Sequence, residues 1–296
     1  MSGSLAGVPA GSRAAGTGAV DSTADSRPAS SRAAGTSAPG TFVPAPGAGP
    51  LASRVAAQAR AELAVLFRNG EQLLVTIVLP VLVLVGLVST SVLADARADR
   101  IALAVPGVLG LAVVSSAFTS LAIATGFERR YGVLRRLGAT PLGRGGLVAG
   151  KALATLAVLA VQAVVIAGVG LLLGWRPGAS GLLEAVAILV LGTIVFAGLG
   201  GLLAGTARPE AVLAVANLAW VLLLAVGGLV SETSRLPGAA GVLARLLPSG
   251  ALGDALRDLL APGVGSGTMP LGLAILVLIV WGVIGWAATA RFFRWD

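Results

Sequence analysis

Residues 127–151, FERRYGVLRRLGATPLGRGGLVAGK, form the one sizeable block of charge set between long apolar runs. The block carries Glu128, Arg129, Arg130, Arg135, Arg136, Arg144 and Lys151. The runs on either side, about residues 101–125 and 152–173, contain no Asp, Glu, Lys or Arg. Each is long enough to cross a hydrocarbon core of about 30 Å as a helix. A basic stretch caught between two such runs belongs on the cytoplasmic face of a membrane. This reading decides the fold class: an all-α polytopic membrane protein.

Composition agrees. The chain has 296 residues, 56% hydrophobic and 11% charged, where a soluble domain carries about 25% charge. It has no Cys and no His. That excludes disulfides and Cys/His zinc sites, and a Ser-His-Asp or Cys-His catalytic group would lack its base. No cofactor or metal is expected. The net charge of +8 does not point to nucleic acid, because the Arg residues cluster beside apolar spans, where membrane topology explains them.

Working outward, residues 1–50 are Ala, Gly, Ser, Pro and Thr with scattered Arg13, Arg27 and Arg32. Such a stretch buries too little apolar surface to offset its ordering entropy, so a disordered cytoplasmic tail is expected. It lacks the continuous apolar run of a signal peptide. Over residues 51–69, Leu51, Val55, Ala59, Leu63 and Leu66 recur near helical spacing, with Arg54, Gln58 and Arg68 off that line. This predicts either an amphipathic helix along the membrane interface or a helical extension of the first span.

Six transmembrane helices are expected, at about 72–94, 101–125, 152–173, 182–205, 211–230 and 271–290. Pro80 and Pro106 fall within the first two, where proline usually brings a kink or local break. With the N-terminus inside, fifteen Lys and Arg lie on the cytoplasmic side and six on the other; both termini are then cytoplasmic. Residues 231–269 are too apolar for a solvated loop and too interrupted by Pro237, Pro248 and Pro262 for a span. One or two short re-entrant helices dipping into the outer leaflet are expected there.

Several motifs suggest other chemistry. Gly145 to Ala152, GGLVAGKA, matches the start of a phosphate-binding loop, but Ala152 replaces the magnesium-binding hydroxyl and no strand precedes it. Small-xxx-small pairs at Gly146/Gly150, Gly170/Gly174 and Gly201/Gly205 permit close helix packing, within the chain or between copies. Ser115, Ser116, Thr119 and Ser120 share part of span two, with Gln162 in span three and Asn217 in span five. They read as interhelical hydrogen-bonding groups ahead of substrate contacts. Spans two, three, five and six hold no charge at mid-depth, which weighs against a self-contained ion-coupled pump. Asp254 and Asp258, with Arg257 between them, are the one candidate carboxylate pair for an enzyme, and read better as the polar face of an outer amphipathic helix.

Topology alone accounts for the arginines of residues 127–151. It does not account for Glu128, Tyr131, Gly132 and the Thr140-Pro141 turn in this order. Tyr131, Leu134 and Leu137 fall on one helical face. Here the chain resembles the permease subunits of type-2 ABC transporters. Their signature between spans two and three reads here as Glu128, Arg129, Gly132, Leu134, Leu137, Thr140, Pro141, Leu142, Leu147, Gly150 and Lys151. The Ser common before the arginine is Gly143. The resemblance covers residues 51–296, and the daunorubicin-resistance branch is the nearest look-alike.

The resemblance implies a membrane subunit in the cell membrane that works as a homodimer or heterodimer with a cytoplasmic ABC ATPase. Glu128, Arg129, Arg130, Tyr131, Gly132, Leu134, Arg135, Leu137, Thr140, Pro141 and Leu142 would form the coupling region that docks on the ATPase. The chain itself would hold no catalytic residue. An apolar drug or lipid would be exported between two subunits along spans one, two and five. The alternative is a membrane anchor or assembly factor whose basic loop recruits a soluble partner without transport.

Overall fold

The computed structural model describes residues 49–91, 93–229, 238–264 and 269–294. The tail expected over residues 1–50 therefore lies, apart from Gly49 and Pro50, outside the described residues, as do 231–237 of the outer connection. No strand occurs among the described residues.

The first helix, α1 (Leu51–Arg68), ends at Asn69, whose side chain then accepts the backbone N–H of Gln72 at 3.2 Å and so caps α2 (Gly70–Ser89). Asn is among the best residues for this position because its oxygen satisfies an orphan N–H. The cap makes α1 a separate helix and not an extension of the first span. α1 lies against α6 (Gly143–Leu173), where a methyl on Gly150 would come within 2.6 Å of Gln58 Cγ. The Gly146/Gly150 pair thus serves packing inside the chain.

The second expected span is a continuous rod, Arg97–Arg130, of 34 residues. It comprises α3 (Arg97–Val113), a π-helical turn (Val114–Ser120) and α4 (Leu121–Arg130). The irregularity expected near Pro106 falls instead at Val114–Ser120, while Pro106 is buried within regular helix. The rod is the centre of the fold: 83% of its most apolar window is buried inside the chain, against 18% for α2 and 22% for α6.

Around it stand α2, α6, α7 (Leu182–Thr206), α8 (Pro209–Val226) and α11 (Leu271–Phe292). Among the described residues, five helices are long and apolar enough to cross a membrane: α2, the rod, the 145–173 stretch of α6, α7 and α11. The fifth of the six expected spans, α8, is shorter than expected; its apolar stretch is Pro209–Ala225. The Gly227-Gly228 pair beyond it explains this, since Gly228 has φ 75° and left-handed glycine terminates helices.

α7 and α11 pack closely through small residues. Trp286 Nε1 donates to Ile194 O at 2.9 Å and Thr289 Oγ1 to Gly198 O at 2.8 Å. A methyl on Gly201 would meet Thr289 Cγ2 at 3.3 Å, so this pair too is used within the chain. Gly170 abuts Val105, and Gly174 (φ 103°) closes α6.

The connection before α11 contains two short helices, α9 (Ala239–Leu246) and α10 (Pro248–Leu260). α10 is buried among α3, α7 and α11. Its charges do not form an exposed polar face. Asp254 and Arg257 are buried in an ion pair, Nη1 to Oδ1 at 3.3 Å, and only Asp258 faces outward. Arg257 Nη2 also donates to Leu229 O at 2.5 Å, and Asp254 Oδ2 accepts the Met269 N–H at 3.3 Å. These bonds satisfy charges that would otherwise be too costly to bury.

Candidate functional site

Between the rod and α6 the chain makes a compact hairpin. α4 ends at Arg130, a short helix α5 (Val133–Gly138) follows, and a turn leads into α6. Gly132 and Gly143 bracket it with φ of 69° and 66°. Neither has an atom within 4 Å of where a Cβ would stand, so the backbone and not space requires glycine there. Thr140 stitches the turn, its Oγ1 donating to Leu137 O at 2.6 Å while its carbonyl accepts the Gly143 N–H at 3.1 Å.

One side of the hairpin is held inward. Lys151 Nζ donates to Glu128 Oε1 at 2.7 Å and to Glu62 Oε1 at 2.8 Å. The Lys151 side chain is only 8% exposed, and each carboxylate 23%. Charge-assisted bonds in this half-dry setting are stronger than surface pairs. They join three segments: α1, the end of the rod and the start of α6. Gln58 Nε2 donates to Glu62 at 2.9 Å, Arg129 donates to Ala207 O at the end of α7, and Arg54 of α1 donates to Pro141 O. Leu134 and Leu147 are buried beneath α5.

The other side faces out. Tyr131 is 67% exposed, and Arg130, Arg135, Arg136, Thr140 and Pro141 are exposed with it. Phe127 stacks on Tyr131 with centroids 6.4 Å apart. Leu137 and Leu142 are half-buried. The shared face expected for Tyr131 and Leu134 is absent, because the left-handed Gly132 breaks the helix between them. Of the predicted coupling residues, Glu128, Arg129 and Leu134 hold the hairpin from beneath; Arg130, Tyr131, Arg135, Thr140 and Pro141 present its surface. Arg130 pairs with Glu210, both largely exposed. The phosphate-loop look-alike lies entirely within α6, and its Lys151 is engaged by the two carboxylates.

A second feature sits higher on the rod. A cavity of about 300 Å³ opens between α2, the π-turn, α6 and α8. Ser116 Oγ donates to Gln162 Oε1 at 2.7 Å, and Gln162 Nε2 to Thr76 O at 2.8 Å. Trp220 Nε1 donates to Ser115 Oγ at 2.7 Å. These are the interhelical bonds expected of this cluster. Thr119 Oγ1 is buried without a partner among the described residues, and Ser120 and Asn217 are exposed at the cavity. π-turns of this kind recur at functional sites.

One group escaped the reading of the sequence and another was misread. Glu62 carried a signal, as the lone acid of an otherwise basic α1. Asp254 and Arg257, read as part of an exposed polar face, are buried, and the sequence carries no sign of it because their partners Leu229 and Met269 come from distant segments.

No curated protein matches the chain. The family model described as ABC-2 type transporter matches residues 54–261, from α1 to the end of α10. That span takes in the hairpin, the rod, the cavity and the buried pair, and the match covers well over half the chain. The protein is a multi-pass membrane protein and belongs to the ABC-2 type transporter family.

Proposed function

We propose that the chain is the permease subunit of an ATP-driven exporter in the cell membrane, paired with a separate cytoplasmic ABC ATPase. The family normally works with such an ATPase. In this reading α8 is the fifth of six spans, although it is short, and both termini are cytoplasmic. α9 and α10 are then the re-entrant helices of the outer leaflet. Hydrolysis occurs in the partner, and this chain contributes no catalytic group.

The observation that carries the proposal is the two-sided hairpin. A surface that transmits force must be exposed to the partner and rigidly tied to the helices that move. Arg130, Tyr131, Arg135, Thr140 and Pro141 meet the first need; Glu128–Lys151–Glu62 and Arg129 meet the second. In this reading the coupling region is the hairpin, with Glu128 acting as a tie and Tyr131 as the contact. Two copies would face each other across α2 and α8, whose Leu74, Leu82, Leu218 and Leu222 are exposed beside the polar cavity. A largely apolar drug or lipid with a few hydrogen-bonding groups suits that cavity, as in drug exporters of the daunorubicin-resistance kind.

The test is co-expression with a candidate cytoplasmic ABC ATPase. The wild type should capture the ATPase on purification and drive cargo efflux. Tyr131→Ala combined with Arg135→Glu should insert normally yet lose both. Undiminished capture and efflux in that variant would remove the hairpin from the coupling role.

A further inference from the structure

A larger cavity, of about 450 Å³, lies at the same end of the bundle as the hairpin. Its wall comes from α4, α5, α6, α7 and α11, and α2 and α8 contribute nothing to it. It is therefore separate from the polar cavity assigned to cargo. It exists because α6 leans on α1 while α11 leans on α7, so that α6 and α11 part company near the hairpin.

The wall is apolar. Leu134, Leu147, Ala197, Trp286 and Phe293 line it. Two of its polar side chains are already engaged: Lys151 by Glu62 and Glu128, Thr289 by Gly198 O. An apolar space of this size has the volume of a ligand site and forfeits packing if it stays empty. It is partly open, so an apolar chain can enter. The mouth is basic. Arg135 and Arg136 follow Leu134, Arg291 follows Ala290, and Arg294 follows Phe293; the three preceding residues all line the cavity. All four arginines are exposed, and none pairs with a carboxylate among the described residues. Basic pockets between membrane helices recognise anionic lipid headgroups.

We infer that this cavity binds one acyl chain of an anionic phospholipid, with the headgroup on the guanidinium groups at its mouth. The bound lipid completes the packing beneath α5 and so supports the hairpin. The inference stands apart from the transport reading, since the lipid is a resident and not the cargo.

The experiment is native mass spectrometry of the full chain released from nanodiscs of equimolar phosphatidylglycerol and phosphatidylcholine with matched acyl chains. The wild type should retain one phosphatidylglycerol in preference to phosphatidylcholine. Ala152→Phe fills the cavity from α6 and should abolish retention; Ala290→Phe fills it from α11 and serves if the first variant fails to fold. Arg291→Gln with Arg294→Gln should cut the preference for phosphatidylglycerol by about tenfold or more while leaving lipid binding in place. Equal retention of the two lipids by the wild type, or unchanged retention in both filled variants, overturns the inference.

Discussion

The two ends of the bundle handle charge in opposite ways. At the hairpin end, Lys151 is buried between the half-buried Glu128 and Glu62, under a surface rich in arginine. At the other end, Asp254 and Arg257 are wholly buried in α10, and of the charges on that helix only Asp258 is exposed. The first cluster has an inner and an outer side, and so can hold and present at once. The second only holds: it fastens α10 to the end of α8 through Leu229 and to the entry of α11 through Met269. A concentration of charge thus indicates a partner surface only where part of it stays outside.

The largest effect is expected where burial is complete. Arg257→Ala removes the cation paired with the buried Asp254 carboxylate and should cost about 3–5 kcal/mol. Thermal unfolding of the detergent-solubilised protein, followed by tryptophan fluorescence, would show a steep fall in Tm and in folded yield. A Tm close to wild type would mean that the pair is not a fastening. Next comes Lys151→Ala, which leaves Glu62 and Glu128 facing each other. Its cost should be smaller, about 2–3 kcal/mol, because the carboxylates are partly solvated. Adding Glu128→Gln should restore part of the loss, a non-additivity expected of touching residues. Two independent, additive losses would break the three-residue cluster.

Gly132→Val tests the backbone of the hairpin. A β-branched residue at φ 69° should cost about 1–2 kcal/mol, with ATPase capture falling more than stability does. Last is Arg130→Ala, which removes a pair exposed on both sides. It should change stability by no more than about 1 kcal/mol, so a larger fall would show that the outer face is also structural.

Most of the helical layout was legible in the sequence. Runs of uncharged residues mark α2, the rod, α6, α7 and α11 because burial in lipid leaves no other choice. Helix ends were less so. The rod and α6 extend beyond their apolar windows because Arg97, Asp99, Arg129, Arg130 and Gly143 to Lys151 are held by neighbours or solvent and need not end a helix. α8 stops early at a glycine pair whose conformation only the fold reveals. The hairpin's residues were legible as a group, but not their division into a holding and a presenting side. That division depends on Glu62, 89 residues from Lys151 in sequence. α10 was misread for the same reason: the spacing of Asp254 and Asp258 is that of a wet face, and only Arg257, Leu229 and Met269 together make it a dry one.

The central claim is that the outer side of the hairpin is the contact through which an ATPase drives this subunit. It is tested most directly by measuring ATPase capture and cargo efflux in Tyr131→Ala/Arg135→Glu beside Arg257→Ala rescued to equal folded yield. The account predicts that the hairpin variant keeps its Tm and loses capture, while the rescued Arg257→Ala protein still captures the ATPase. Full capture and efflux by the hairpin variant would contradict it.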